Sequence, residues 1–294
     1  MNTFGQIFRV SIFGESHGKW VGVTIDGCPA GIDIAPADFM PDLARRKAGA
    51  AGTTPRKEED LPIFVSGVYK DKTTGAPLTI VFENNNVRSG DYDAVKDTPR
   101  PGHADFVLAR KFNGFNDHRG GGHSSGRLTV AMVAAGVVAK KILTGVSVAA
   151  TLTEAGGLAD IEAAIQKAID NNDSLGGIVS CTVNGLPIGL GEPFFNSAES
   201  VISHIIFSIP AIKGIEFGSG FAAARMTGSQ HNDAFIDEVG TTKTNHAGGI
   251  NGGITNGNEL HFRVAVKPTS STPREQQTWN KAANTIAPFT VKGR

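Results

Sequence analysis

The sequence predicts a mixed α/β (α+β) fold, a sandwich of sheets and helices in one domain with internal pseudo-symmetry. Three observations predict it. Apolar segments of strand length and period alternate with segments of helical period along the whole chain. The form strand end, turn, Pro, Gly and then helix occurs twice, at Thr24-Ile25-Asp26-Gly27-Cys28-Pro29-Ala30-Gly31 and at Thr182-Val183-Asn184-Gly185-Leu186-Pro187-Ile188-Gly189. That echo reads as a duplicated strand–turn–helix unit, against the competing reading of two similar turns. No low-complexity linker interrupts residues 1–294, so one domain is expected.

The elements follow in order. Gln6–Phe13 is expected as a strand that ends in the polar turn Gly14-Glu15-Ser16-His17-Gly18, and Trp20–Ile25 as the next strand. Pro36 suits the first position of a helix running to about Arg46. Ile63–Val68 and Leu78–Glu83 read as paired strands joined through the polar segment around 70–76. Gly126 to Lys141 is a long, nearly all-apolar helix, a pattern that predicts burial on several sides. Val146–Leu152, Ile178–Val183 and Glu259–Val266 read as strands, and Asp160–Asn171 and Ser197–Phe207 as helices.

Composition narrows the function classes. Lys plus Arg is 28 and Asp plus Glu is 28, whereas a general nucleic-acid binder shows a basic excess. Cys28 and Cys181 lie far apart and suggest no disulfide framework. Residues 1–7 lack the basic-then-apolar order of a signal peptide. The longest apolar run, Leu128–Ala139, is too short to span a bilayer and ends at Lys140 and Lys141. A cytoplasmic protein is therefore expected, with neither nucleic acid nor membrane as partner. Glycine is the outlier at 37 residues, well above the usual share of about 7%. Clusters at 120–122, 248–249 and 252–253 allow close backbone approach to a ligand, or else form ordinary tight turns.

Four loops concentrate chemistry-bearing residues. In Gly14-Glu15-Ser16-His17-Gly18, His17 can donate a proton near neutral pH, or simply face water in a turn. In Thr98-Pro99-Arg100-Pro101-Gly102-His103-Ala104-Asp105 the prolines stiffen the chain around Arg100 and His103. A guanidinium beside a histidine suits a phosphate or carboxylate; a rigid turn capping the following helix is the equal alternative. Asp117-His118-Arg119-Gly120-Gly121-Gly122-His123-Ser124-Ser125-Gly126-Arg127 leads into the apolar helix and is the strongest anion-site signal. It is not a Walker loop, because Arg127 and Leu128 stand where Lys and Ser/Thr are required, and its loop histidines do not form a helical zinc pair. No metal is expected. Finally, Lys267-Pro268-Thr269-Ser270-Ser271-Thr272-Pro273 follows a strand and offers a lysine and hydroxyls to a cofactor phosphate, or is a solvated loop.

Together these segments, FGESHG, RPGHAD, GGGHSSGR, NHAGGINGG and KPTSS, resemble the chorismate synthase family in order and spacing along essentially the whole chain. The resemblance implies a single-domain β-α-β sandwich with pseudo-symmetry, assembled as a homotetramer. It implies a lyase that uses reduced FMN in an anti 1,4-elimination of phosphate from 5-enolpyruvylshikimate 3-phosphate, yielding chorismate at the end of the shikimate pathway towards aromatic amino acids. Carried over by resemblance, His17 protonates the leaving phosphate and His103 protonates the reduced flavin. Ser16, Arg46, Arg100 and Arg127 bind the substrate. Arg46, His123, Ser124, Ser125, Ala211, Gly252, Lys267, Pro268, Thr269, Ser270, Ser271 and Arg294 contact FMN, and Asn245 and His246 open a glycine-rich loop near the same site. Reduced FMN comes either from NADPH or from an external flavin reductase; the lack of a separate dinucleotide fingerprint favours the external source.

The chain departs from the family at several places. Pro210 stands where Asn is often found, His123 where Arg is common, and Gly126 where Ala is common. A second arginine is missing around 50–52, a gap that Arg56 or Lys57 is placed to cover. The family continues beyond Arg294 with His-Asp and a C-terminal helix, so that segment, with its catalytic aspartate, is expected to be missing from this sequence.

Overall fold

The computed structural model describes residues 2–49, 51–53, 56, 58–87 and 96–291; Lys57 and Arg294, both singled out above, lie outside the described residues. The chain divides into two compact units. The first is Met1–Leu143, Ile169–Asp173 and Ser270–Arg294, and the second is Thr144–Ala168 and Ser174–Thr269.

The first unit opens with β1 (Thr3–Phe4), β2 (Arg9–Gly14), β3 (Trp20–Asp26) and α1 (Met40–Arg46). It continues through β4 (Ile63–Ser66), β5 (Val68–Tyr69), β6 (Lys72–Thr73), β7 (Leu78–Glu83), α2 (Asp105–Lys111) and α3 (Thr129–Ile142). Its five-stranded antiparallel sheet runs β1-β2-β3-β7-β4. Alternation along β7 puts Leu78, Ile80 and Phe82 on one face, where none is exposed. Val21, Val23 and Ile25 of β3 join them, and Val130, Ala131, Ala134 and Val138 of α3 cover that face together with Phe39 and Leu43. Each large apolar side chain buried this way stabilises the unit by roughly 1.5–3 kcal/mol.

Several expected bounds shift for local reasons. The strand expected over 6–13 is β2 alone, because β1 folds back antiparallel on it and residues 6–8 must make the reversal. Pro36 opens a 3-10 turn, and α1 begins only at Met40. Pro41, lacking an N–H, interrupts continuous α-helical bonding there. Gly126–Leu128 is likewise a 3-10 turn, with Ser125 Oγ accepting from the Arg127 backbone N–H at 3.3 Å before α3 starts. The strand expected over 63–68 breaks into β4 and β5, with a register shift between Phe64 and Ser66.

The second unit comprises β8 (Ser147–Ala155), α4 (Ile161–Asp170, which runs across the division), β9 (Gly177–Asn184) and α5 (Ala198–Phe207). It continues with β10 (Ile212–Phe217), α6 (Gly228–His231), β11 (Ile250–Asn251), β12 (Ile254–Thr255) and β13 (Leu260–Val266). The chain then returns to the first unit for the hairpin β14 (Gln276–Asn280) and β15 (Thr285–Phe289). The second unit's sheet runs β10-β13-β9-β8, and Leu260, Phe262 and Val264 form its core with Cys181, Ala198 and Ile250.

The two sheets share one topology. In both, an antiparallel pair (β2–β3, joined by a short turn, and β8–β9, joined through α4) leads to a helix (α1, α5), then an edge strand (β4, β10), and a later strand (β7, β13) inserts between pair and edge. The sequence echo falls at the same point in each, just after β3 and just after β9. Gly27 and Gly185 there adopt φ of +76° and +83°. Among the described residues no helix is long and apolar enough to cross a membrane.

Phe82→Ala is expected to lower unfolding stability by about 3–5 kcal/mol in urea titrations. Val65→Ala, at an exposed position of β4, is expected to change it by about 0.5 kcal/mol or less.

Candidate active site

In the first unit the candidate residues gather at one edge of the sheet. The registers Gly14↔Val21 and Trp20↔Glu83 bring the end of β2, the start of β3 and the end of β7 together. Asn84, one residue past β7, ties that edge to the turn before β3. Its Nδ2 donates to Glu15 O at 3.1 Å and Gly18 O at 2.7 Å, while its Oδ1 accepts from Arg127 Nε at 2.8 Å. The turn 15–18 is therefore pinned from beneath by the residue that also holds an arginine.

Three arginines converge here. Asp60, buried, accepts from Arg46 Nη1 at 2.6 Å through one oxygen and from Arg127 Nη1 through the other. Arg127 also donates to Glu83 O at 3.0 Å. Arg56 donates from Nη1 to Ser16 Oγ at 2.9 Å and from Nη2 to Ser16 O at 3.0 Å, and is paired with Glu58. Among the described residues three guanidiniums thus face two carboxylates, Asp60 and Glu58. Arg46 Nε is the buried side-chain nitrogen among the described residues that has no hydrogen-bond partner. Burial pushes the Arg46 guanidinium below its ordinary range; Asp60 opposes that shift, and Arg127 and Arg56 add to it. A buried donor without a partner is costly, and an anionic oxygen would relieve it.

Arg100 sits on a different carboxylate. Its Nε and Nη2 grip Asp105 at 2.8 Å each, and its Nη1 donates to Ser271 Oγ at 2.9 Å. The same Asp105 lies 2.7 Å from His103 Nδ1. Burial alone raises the Asp105 carboxyl, but hydrogen bonds from Arg100 and His103 outweigh it and hold the group well below the usual carboxylate range. Of the arginines expected to bind substrate, the structure joins Arg46 and Arg127 through Asp60 and sets Arg100 behind His103.

The glycine triplet joins the two histidines. Gly120 and Gly121 adopt φ of +58° and +83°, a backbone that only glycine holds without strain. A Cβ at Gly120 would lie 2.7 Å from His17 Nε2 and from Ser16 Oγ, and one at Gly121 would lie 3.3 Å from His103 Cε1. The bare backbone therefore runs against both rings, one residue apart. Gly122 O accepts from the buried Ser16 N–H at 3.0 Å, and Arg119 pairs with Asp117 at 2.8 Å to fix the start of the loop. His123 Nδ1 lies 2.7 Å from Gly14 O, the geometry of a donor to the end of β2. Ser125 caps the turn before α3, and Ser124 is exposed. Ser270 Oγ donates to Gly102 O at 2.7 Å, beside the loop that carries His103.

The second unit holds the remaining candidates. Ala211 takes φ +75°, costly for a residue with a Cβ, and its carbonyl accepts from Lys267 N at 2.9 Å. Lys267 Nζ donates to Pro268 O at 3.0 Å, and Thr269 O accepts from Ser174 Oγ at 2.7 Å. A Cβ at Gly252 would meet nothing within 4 Å, so a ligand can approach the backbone there. Asn245 closes its own glycine loop by bonding Gly249 N and Glu259 O, both at 2.8 Å. Asp233 holds His246 N at 2.8 Å, and His246 Nδ1 lies 2.9 Å from Ser219 Oγ.

Sequence reasoning missed Asp60, Glu58 and Asn84 as site residues, and gave Asp105 no role. None stands in a glycine-rich or histidine-bearing loop except Asp105, whose place two residues after His103 was the available signal. Arg56, named as a substitute for a missing arginine, does reach Ser16. Among the described residues no three His, Cys, Asp or Glu side chains cluster to hold a metal.

The fold defines an α+β protein in which a glycine loop lies against two histidines and three arginines gather near one of them. A model of the chorismate synthase family matches residues 8–294. A chorismate synthase of Chitinophaga pinensis is 67% identical over 295 residues, covering 100% of this chain and 89% of that protein. One of Dehalococcoides mccartyi is 43% identical over 326 residues, with the same shares of 100% and 89%. A solved crystal structure of a chorismate synthase superposes with a TM-score of 0.73 at 27% identity, over 90% of this chain and 85% of that one. The chain belongs to the chorismate synthase family.

Two outcomes follow from the geometry. Gly120→Ala is expected to displace His17 and destabilise the chain by about 1–3 kcal/mol, whereas Gly126→Ala, whose Cβ meets open space, leaves stability within about 0.5 kcal/mol; thermal unfolding compares them. Asp105 is ionised in the fold at a pH where the unfolded carboxyl, near about 3.9, is protonated. Its stabilisation is complete above that value and is lost as pH falls towards its folded value. Asp105→Asn is therefore expected to flatten the fall in stability between roughly pH 5 and pH 2, read by urea unfolding at each pH.

Proposed function

We infer that the chain is a carbon–oxygen lyase that eliminates phosphate from 5-enolpyruvylshikimate 3-phosphate to give chorismate, the closing step of the shikimate pathway. The observation that carries this reading is one glycine loop pressed against two histidines, next to a cluster of three arginines. A substrate with a phosphate and two carboxylates needs several fixed cations, and departure of its phosphate needs a proton.

In this reading Arg46 offers its unpartnered Nε to a substrate oxygen, with Arg127 held rigid beside it by Asp60, Asn84 and Glu83 O. His17 donates the proton to the leaving phosphate, and Ser16, locked by Arg56, fixes the height of that histidine. Arg100 acts on the site through His103. Anchored by Asp105, His103 holds a proton for the cofactor.

Reduced FMN is the cofactor, and when bound it supplies the transient electron that assists loss of phosphate. Within the first unit the hydroxyls of Ser124, Ser270 and Ser271 fit its polar groups; Gly252 and Lys267-Pro268-Thr269 of the second unit are assigned to it by the family resemblance. His123, Ser125 and Ala211 complete the assignment. An external flavin reductase supplies the reduced form in preference to NADPH oxidation by this chain. The reading treats residues 1–294 as one functional domain of a cytoplasmic homotetramer.

Anaerobic phosphate release from 5-enolpyruvylshikimate 3-phosphate with chemically reduced FMN tests the reading. Turnover is expected, with kcat falling about 10²- to 10⁴-fold for His17→Ala and for His103→Ala. Arg46→Ala is expected to weaken substrate binding about ten- to a hundredfold. A chain that binds FMN and releases no phosphate is instead a flavin-binding relative without the lyase activity.

A further inference from the structure

His103 Nδ1 stands between two groups that make opposite demands on it. Asp105 Oδ1, a pure acceptor when ionised, lies 2.7 Å away, and Arg100 Nη2, a pure donor, lies 3.1 Å away. One ring nitrogen cannot donate to the first and accept from the second at the same time. The shorter contact, to a carboxylate held ionised, selects a proton on Nδ1. The carboxylate itself cannot turn, because Arg100 grips both its oxygens, Arg100 N–H adds a bond of 3.1 Å to Oδ2, and Ser271 Oγ holds the guanidinium from the far side. On its other side the ring meets the bare backbone of Gly121, which stands closest to Cε1 and Nε2. Among the described residues Asp105 and Arg100 are charged groups within 3.1 Å of the ring, and the glycines of the loop carry no charge.

We propose that Asp105 is the positioning residue of His103, fixing the neutral imidazole as the Nδ1–H tautomer so that Nε2 is the atom that takes up and gives away the proton. The proposal deepens the lyase reading and rests on it for the proton's destination. With reduced flavin bound, the Nε2–H bond would break, Nε2 would give up the proton to it, and the ring would go from cation to neutral. The Nδ1 proton stays on the ring, hydrogen-bonded to Asp105, which remains ionised throughout; a solvent proton later restores Nε2–H. No electron moves to or from the protein. Without the carboxylate, Arg100 Nη2 becomes the partner of Nδ1. The neutral ring must then keep its proton on Nε2, and transfer from that atom is disfavoured.

The test combines two readouts on the full chain. Ring ¹⁵N shifts of His103 at alkaline pH, without flavin or substrate, report the tautomer; phosphate release with reduced FMN reports kcat and KM. The expected result is Nδ1–H in the unmutated chain, a switch towards Nε2–H in Asp105→Asn, and a kcat lower by about 10²- to 10⁴-fold with little change in KM. Asp105→Glu, which keeps an acceptor, is expected to retain the Nδ1–H tautomer. An Asp105→Asn chain that keeps both the tautomer and its kcat overturns the proposal. Should that variant fail to fold, the unmutated chain decides alone: Nδ1–H supports the proposal and Nε2–H overturns it. A tautomer switch in a protein whose unmutated form releases no phosphate supports the positioning role and removes the lyase reading instead.

Discussion

Asp60 is a carboxylate buried between two guanidiniums, and the site in the first unit is organised around it. Removing these charges from water costs several kcal/mol per ion, and mutual attraction repays that cost only with good geometry and further hydrogen bonds. The geometry is supplied by three places distant in sequence: the end of α1, the segment before β4 and the turn before α3. Arg127 extends the network to Glu83 O and Asn84, and Asn84 extends it to the turn that carries His17. One carboxylate serves two arginines, and among the described residues Arg46 Nε is left without a partner. The same arrangement that fixes the turn therefore leaves attraction for an anionic ligand.

The second constraint is steric. Two reactive rings can share one loop only if the loop has no side chains where it passes them. Gly120 and Gly121 meet that demand, and neighbouring Gly122 lies against Asp117 O in a conformation closed to other residues. Hence the triplet is read better as a spacer between His17 and His103 than as a phosphate cradle alone. The arginine network sets the charge of this region, and the glycine backbone sets how closely the loop passes the His17 and His103 rings.

Much of the fold was legible because the residues state it locally. The alternation Leu78-Thr79-Ile80-Val81-Phe82 and the apolar run into Lys140 and Lys141 predict β7 and α3 with small errors at their ends. The echo at 24–31 and 182–189 pointed to the repeated topology, since the same glycine turn ends the second strand of an antiparallel pair in both sheets. Strand β10 and the β14–β15 hairpin escaped notice, because Ile212–Phe217 is short and contains a glycine, and Gln276–Asn280 is polar. The histidines and serines of the site were visible in their motifs. Their partners Asp60, Glu58 and Asn84 were not, because an acidic or amide residue in a polar loop has no pattern of its own.

By itself the sequence determined the family and most of the long elements, and it singled out the histidines, arginines and glycine loops as candidates, since each depends on residue identity and short-range spacing. Only the tertiary structure decided how the charges pair. Arg100 and Arg127 look equivalent in sequence, yet one grips Asp105 behind His103 and the other shares Asp60 with Arg46. Arg56 proved to belong to Ser16, forty positions away in the chain. Pairing of buried charges is set by distances between segments remote in sequence, and those distances exist only once the sheet and α3 have closed on their common core.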